Sequence, residues 1–231
     1  MKRVCLITGG TRGIGFAVAQ ALLKQGDSVA ITGTSADGVQ QAAAALGQNV
    51  FALTCDVRQS AAVESAFHSL ESHFGGVDVL VNNAGVGVGA PIADLSEDEW
   101  DRIIGTNLTG VFHCCRSAIP RLRRRGGGWI INISSLASKN PFVGGAAYCA
   151  SKAGLNAFSE ALMQELRHDN IRVSYVLPGS VATGFSGRAA SAGEDWKLQP
   201  DDVAQVIVDL LAHPARSLPS RVEIRPSRPQ K

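Results

Sequence analysis

Short apolar runs rich in β-formers alternate with longer segments of helical periodicity along the whole chain. The runs fall at residues 3–8, 28–32, 50–54, 77–81, 129–133, 172–177 and 221–224, and most of their positions are apolar. A strand with one face in water alternates apolar and polar residues, so near-continuous runs predict strands covered on both faces, as in a parallel sheet. Between them, helix-length segments lie at 13–25, 37–46, 59–74, 106–124, 146–168 and 200–212. Repeated strand-helix-strand units with right-handed crossovers predict a doubly wound α/β fold, a parallel sheet of about seven strands with helices on both faces.

No proline- or serine-rich linker interrupts this pattern, so a single domain over residues 1–231 is expected. The longest aperiodic segment is 184–199. It holds Gly184, Gly187 and Gly193 together with Phe185 and Trp196, and a loop of that length with aromatics in it reads as a lid. Pro200-Asp201-Asp202 then opens a helix with acids in its first turn.

Composition narrows the classes. With 45% hydrophobic and 18% charged residues in 231, the chain can bury a sizeable core. A net charge of +2 gives no reason to expect a nucleic-acid or membrane partner. Arg121, Arg123, Arg124 and Arg125 run into Gly126-Gly127-Gly128 and read as the solvated cationic end of a helix. The five cysteines lie mostly in apolar runs without a CxxC pair, as expected of reduced core thiols. No histidine has metal-ligand spacing to another or to a cysteine, so no metal is expected. The first strand starts at residue 3 and no apolar stretch reaches membrane-span length, which makes a cytoplasmic location the expectation.

Two groups of residues carry candidate chemistry. The first strand runs into Thr8-Gly9-Gly10-Thr11-Arg12-Gly13-Ile14-Gly15 and then a helix. Glycine permits positive φ and close backbone approach, so amides and a helix N-terminus at such a turn can hold a pyrophosphate. The spacing is Gly-x-x-x-Gly-x-Gly rather than Gly-x-Gly-x-x-Gly. Folds of this kind that prefer NAD place an acid at the end of the second strand, where it accepts from the ribose 2′-hydroxyl and repels a 2′-phosphate. Here that strand ends Ile31-Thr32-Gly33-Thr34-Ser35, with no acid before Asp37. Arg12, Thr34 and Ser35 suit a phosphate instead, so NADP(H) is the expected cofactor, with NAD(H) the alternative should Asp37 fold back.

The second group is Tyr148 and Lys152, four residues apart and so one helical turn. A tyrosine hydroxyl, with a reference pKa of about 10, exchanges protons poorly at neutral pH unless a cation favours its ionised form. Ser134-Ser135 closes the run Trp129-Ile130-Ile131-Asn132-Ile133, with Ser135 thirteen residues before Tyr148. Were a serine to converge on the pair, the three groups would hold a carbonyl or alcohol oxygen and pass it a proton. Alone, the pair also fits a half-buried aromatic beside a solvated cation.

Taken together, the chain resembles the short-chain dehydrogenases/reductases over essentially its whole length. The likeness is carried by Thr8-Gly9-x-x-x-Gly13-x-Gly15, Asp56 after the third strand, Asn82-Asn83-Ala84-Gly85 after the fourth, Asn107, Ser135, Tyr148-x-x-x-Lys152 and Pro178-Gly179 after the sixth. It is nearest in look to the 3-oxoacyl-acyl-carrier-protein reductase branch. The resemblance implies a Rossmann-type fold and reversible, NADP-dependent reduction of a carbonyl to an alcohol. Tyr148 would be the general acid and base, Ser135 would orient the substrate oxygen, and Lys152 would lower the tyrosine pKa and bind the nicotinamide ribose. Asn107 would complete a proton relay through water to the lysine, and Ser134 would be structural.

For the cofactor, the resemblance implies contacts from Gly9, Thr11, Arg12, Gly13, Ile14 and Gly15 in the turn, and from Thr34 and Ser35. Asp56 with Val57 would meet the adenine edge, although Asp56 taken alone fits an N-cap or turn residue equally well. Asn83, Ala84 and Gly85 would support the nucleotide. After Pro178-Gly179, Val181 and Thr183 would bind the nicotinamide carboxamide. A homodimer or homotetramer through the helices at 106–124 and 146–168 is also implied.

Two departures from the acyl-carrier branch fall on the substrate side and the subunit contacts. The chain is shorter, and Ser220-Arg221-Val222-Glu223-Ile224-Arg225-Pro226 lacks the Val-x-Gly-Gly closing turn. The pocket would be lined by residues after Gly85, by 136–143 and by the lid, small or apolar apart from Ser138, Lys139 and Asn140, which favours a modest, mostly apolar small molecule. A 3-oxoacyl thioester, a ketone or an aldehyde all fit, as does an NAD-dependent sugar or hydroxy-acid dehydrogenase. The reading from another class is a non-catalytic dinucleotide-binding regulatory or scaffold protein.

Overall fold

The computed structural model describes residues 2–47, 50–87, 89–185 and 195–229. Seven parallel strands form one sheet: β1 (Val4–Ile7), β2 (Ser28–Gly33), β3 (Val50–Thr54), β4 (Val79–Asn82), β5 (Gly128–Ile133), β6 (Ile171–Pro178) and β7 (Arg221–Ile224). Their order across the sheet is β3-β2-β1-β4-β5-β6-β7. Every residue of β1, β2 and β4 is buried, as continuous apolar runs require.

Alternate side chains feed two cores. Leu6, Leu80 and Ile130 pack under α3 (Ser60–Phe74), α5 (Gly110–Arg124) and α6 (Ala146–Leu166). Ile7, Val81 and Ile131 pack under α1 (Gly13–Lys24), α2 (Ala36–Leu46) and α7 (Pro200–Ala212). One polar chain crosses the first core: Asn82 Nδ2 donates to Asn132 Oδ1 at 2.8 Å, and Asn132 Nδ2 donates to Ser159 Oγ at 2.8 Å. It ties the middle of α6 to neighbouring strands at a depth where unpaired amides would be costly.

The topology makes the crevice. The chain adds β2 and β3 on one side of β1, then returns to place β4 on the other side, with Leu6 opposite Leu80. The loops leaving β1 and β4 therefore part at the carboxyl ends of the strands, where doubly wound sheets bind their ligands.

The structure corrects the expected helix at 106–124. Helix begins nine residues earlier, in α4 (Glu97–Ile104), and passes through a π-helical turn, Gly105–Thr109, into α5. Ser96 starts it with a capping box: its Oγ accepts from Glu99 N at 3.2 Å while Glu99 Oε2 accepts from Ser96 N at 3.3 Å. A π turn advances the chain by an extra residue, so α4 and α5 keep different phases and no single 3.6-residue period runs through both.

The arginine run at the end of α5 is engaged locally. Arg121 pairs with Glu64 and Glu71, Arg123 with Asp169, Arg124 with Glu71 and Arg125 with Asp78. All five cysteines are buried and unbridged, and burial pushes the Cys115 thiol up to about 12. Among the described residues, no helix is long and apolar enough to cross a membrane, and no three His, Cys, Asp or Glu side chains are grouped to hold a metal ion.

The α4 cap is a local test of this arrangement. Ser96→Ala is expected to lower stability in a urea titration by about 1 kcal/mol, with Ser96→Asp close to wild type. An unchanged midpoint for Ser96→Ala would argue against the capped helix.

Candidate active site

The glycine turn floors the crevice. Gly9 and Gly13 hold φ of +64° and +55°, open to glycine at little cost. A Cβ on Gly15 would lie 2.4 Å from both Gly9 O and Asn83 Nδ2, and one on Gly9 would lie 2.9 Å from Ala84 Cα, so neither position has room for a side chain. Asn83 Nδ2 donates to Thr8 O and Gly9 O, each at 2.9 Å, while Thr8 Oγ1 accepts from Asn83 N and Ala84 N, each at 3.0 Å. Asn83 and Ala84 thus brace the turn from behind. Thr8, which motif spacing did not single out as a site residue, is the other half of that brace. Arg12 occupies the N-cap position of α1 without a side-chain cap, so no N-cap side chain covers the first-turn amides of Gly13, Ile14 and Gly15. A pyrophosphate fits such a cradle.

At the end of β2, the residues expected to take a phosphate are not gathered into one set. Thr34 is exposed, and Ser35 Oγ accepts from Gly38 N at 3.3 Å as the cap of α2, with Asp37 in that helix's first turn. Thr11 packs its methyl where a Cβ on Gly33 would come within 2.6 Å. Arg12 Nη1 donates to Gly184 O at 3.1 Å, across the crevice.

Asp56 is held by its neighbour. Arg58 Nη2 lies 2.6 Å from Oδ2, and Arg58 N donates to Oδ1 at 3.0 Å, so the carboxyl titrates below its usual range chiefly through the Arg58 side-chain bond. Of the two local readings, the turn residue is what forms, because Gln59 takes the N-cap of α3. Val57 turns its side chain into the core against Gly110, and its carbonyl lies 3.0 Å from His113 Nδ1.

Helix α6 brings the proton-handling side chains together. The Ser135 side chain acts on Tyr148 in the lowering direction, and Ser135 itself caps a 3₁₀ turn, Leu136–Ser138, by accepting from Ala137 N at 3.1 Å. Ser134 turns inward and donates to Asn156 Oδ1 at 2.6 Å. Lys152 is buried, its Nζ donating to Ile133 O at 2.8 Å and standing 6.0 Å from the Tyr148 ring centre. Burial lowers the Lys152 pKa to about 8. Burial raises Tyr148, and the Ser135 side chain acts against that rise. The ammonium is aimed at the Ile133 carbonyl.

Asn107 sits fully buried in the π turn. Its Oδ1 accepts from Val86 N at 2.8 Å, and its Nδ2 donates to Val86 O at 2.9 Å and Ser151 Oγ at 3.0 Å. A Cβ on Gly85 would be 3.4 Å from Asn107 Oδ1 and 3.7 Å from Lys152 Nζ, so the amide and the ammonium flank Gly85. Ser151 and Asn156 were missed in the sequence. Helical spacing held the signal, since Asn156 follows Lys152 by one turn.

The segment after Pro178 closes the far side. Gly179 N donates to Ile224 O at 2.8 Å, and Val181 bridges to Leu198. Thr183 lies over the start of α1, 3.2 Å from where a Cβ on Gly13 would be. Phe185 sets its ring 5.9 Å from that of Tyr148. Of the expected lid at 184–199, residues 186–194 lie outside the described residues.

A phosphate cradle at the sheet's switch point, with a buried lysine and paired hydroxyls beside it, defines a dinucleotide-dependent enzyme site. The short chain dehydrogenase family model matches residues 3–193, and the chain belongs to that family. An NADP-dependent 3-hydroxy acid dehydrogenase of Salmonella typhi is 33% identical over 234 residues, covering 96% of this chain and 94% of its own. An alcohol dehydrogenase from the archaeon Thermococcus sibiricus, complexed with 5-hydroxy-NADP, superposes with a TM-score of 0.92 at 31% identity over 100% of both chains. A 3-ketoacyl-(acyl-carrier-protein) reductase from Brucella melitensis, complexed with NADH, gives 0.90 at 30% identity over 98% of each.

The buried lysine makes stability depend on pH. Below about pH 8 the native state carries the buried charge, whereas between about 8 and about 10.5 only the unfolded chain keeps that proton, so the penalty is relieved as pH rises. Lys152→Met is expected to be more stable than wild type by an amount on the order of 3 kcal/mol at neutral pH, the gap narrowing towards pH 10. Paired urea titrations at the two pH values read this, and a pH-independent gap contradicts it.

Proposed function

We propose that the chain is an NADP(H)-dependent oxidoreductase that interconverts a carbonyl and an alcohol, with Tyr148 as general acid and base. The observation that carries this reading is the buried Lys152, its ammonium 6.0 Å from the Tyr148 ring centre and flanking Gly85, with Ser135 acting on Tyr148 from the end of β5. The nicotinamide, when bound, supplies or accepts the hydride. Gly9, Thr11, Gly13, Ile14 and Gly15 would hold the pyrophosphate end, and Asp56 would lie towards the adenine. Val181 and Thr183 would orient the carboxamide, while Lys152 would hold the ribose with the ammonium protons left beyond Ile133 O.

Tyr148 gives its proton to the substrate oxygen in reduction and takes one in oxidation, while Ser135 donates a hydrogen bond to the same oxygen. Burial raises Tyr148, so at neutral pH the hydroxyl carries the proton that reduction requires. Asn107 would serve the relay to Lys152 by fixing Val86 and Ser151 around it. The neighbour of Tyr148 on the open side is apolar: the Phe185 ring, 5.9 Å away, is exposed. That suits a modest apolar ketone, aldehyde or 3-oxoacyl group.

The absence of an acid at the end of β2 and the cation at Arg12 support NADP(H), as do the NADP-linked relatives. A homodimer or homotetramer through α5 and α6 extends the same reading, with Phe112 exposed on α5, and light scattering distinguishes the two.

Tyr148→Phe keeps the ring and removes the proton. Turnover of NADPH against a panel of ketones and aldehydes is expected to fall by roughly two to four orders of magnitude, with NADPH affinity retained. Full activity in that variant refutes the assignment. For the cofactor, KM for NADPH is expected about tenfold or more below that for NADH, with Arg12→Ala narrowing the difference. A lower KM for NADH would sink the preference.

A further inference from the structure

Ser135 lies beyond the end of β5, in a bend whose far side, Lys139 and Asn140, is exposed. Its hydroxyl is useful only while it stays on Tyr148. We propose that Asn156 is a positioning residue, whose carboxamide fastens the chain on both sides of Ser135 to α6 and so holds the Ser135 hydroxyl on Tyr148. The proposal rests on the reading of Ser135 and Tyr148 given above and adds to it what fixes their geometry.

The fastening is a directed chain of hydrogen bonds. Before Ser135, Ser134 Oγ donates to Asn156 Oδ1 at 2.6 Å. After it, Asn156 Nδ2 donates to Ser138 Oγ at 2.8 Å, and Ser138 Oγ donates to Ser135 O at 2.6 Å. The Ser138 hydroxyl has one proton, so receiving from Asn156 directs that proton to the Ser135 carbonyl. A carboxamide is suited to this position because it offers an acceptor on one side and a donor on the other. Aspartate would keep only the acceptor, and leucine neither.

The helix is the ruler. Tyr148 and Asn156 are eight residues apart on α6, two turns and about 12 Å along its axis. Lys152, midway, holds Ile133 O at 2.8 Å. Two residues one turn apart thus grip the end of β5 and the bend, Lys152 at Ile133 and Asn156 at Ser134 and Ser138, one and two turns beyond Tyr148. Releasing Asn156 leaves the bend held at the strand by Lys152 and at its far end by the Lys139 pair with Glu223, with Ser135 between them no longer fastened to α6 through the Ser134 and Ser138 side chains.

The test needs no substrate, because the chain has only two tyrosines, Tyr148 and Tyr175. Tyr175 donates to Glu160 and titrates at about 12, so ¹³Cζ-labelled tyrosine gives one reporter and one internal reference. The groups acting on Tyr148 are Cys149 and Lys152 on its own helix, Ser135 from the bend and the Phe185 ring. Of these, only the Ser135 contact depends on Asn156. In titrations of the full chain from about pH 8 to about pH 12.5, Ser135→Ala is expected to raise Tyr148 by about one unit, the worth of one hydrogen bond to the ionised form.

Asn156→Leu should reproduce most of that rise. Ser138→Ala, which breaks the same chain from the half-buried bend, should do so too and stands in if Asn156→Leu folds poorly. Combined with Ser135→Ala, neither should add anything. Tyr148 unmoved in Asn156→Leu and Ser138→Ala while Ser135→Ala shifts it, or shifts that simply add, overturns the proposal. Tyr148 unmoved in all three removes the Ser135 pairing itself, and the proposal with it.

Discussion

The bond from Lys152 Nζ to the Ile133 carbonyl sets the register between α6 and the end of β5, and the rest of the site depends on that register. A helix packed on a sheet by leucine contacts alone can slide by fractions of a turn with little loss, because apolar contact is not directional. A buried ammonium with a carbonyl at 2.8 Å cannot, since a displaced charge in that core would be left without its acceptor. The same register lets the Asn132 amide reach Ser159, and the Asn107 amide reach Ser151.

Burial is what makes the ionisable groups useful, and it acts on them in opposite senses. It lowers the lysine, whose charged form is cationic, and raises the tyrosine, whose charged form is anionic. The two, neighbours on the pH scale in water, are thereby driven apart: the lysine titrates near 8 while the tyrosine keeps its proton at neutral pH. Cys115, buried on α5 without a cation among its influences, is only pushed up, away from reactivity.

What was legible in the sequence was what depends on local spacing. The strand runs, the glycine turn and the Tyr148 and Lys152 interval are properties of a few consecutive residues, and each stands where expected. The start of α4 lay in its Ser96-x-x-Glu99 capping box and acidic first turn, signals that apolar periodicity passes over, and the π turn shifts the apolar phase between α4 and α5. The partners of Asn107 and Asn156 lie across the fold, so no interval in the chain announces them. Ser35 shows the converse: as a hydroxyl near a strand end it suggested a ligand, and helix capping is what it does in the structure.

The brace behind the glycine turn joins Thr8 to Asn83 across 75 residues of chain, with the whole of β2, α2, β3 and α3 between them. A half-folded chain therefore has no cradle to offer, since the turn is shaped only after the central strands have met. Contacts of such sequence separation are slow to form, because closing the intervening loop is entropically unfavourable until the contact is made. Nucleotide present during folding would find nothing to bind until late, and would then act by mass action on the finished molecule, retarding its opening rather than hastening its assembly.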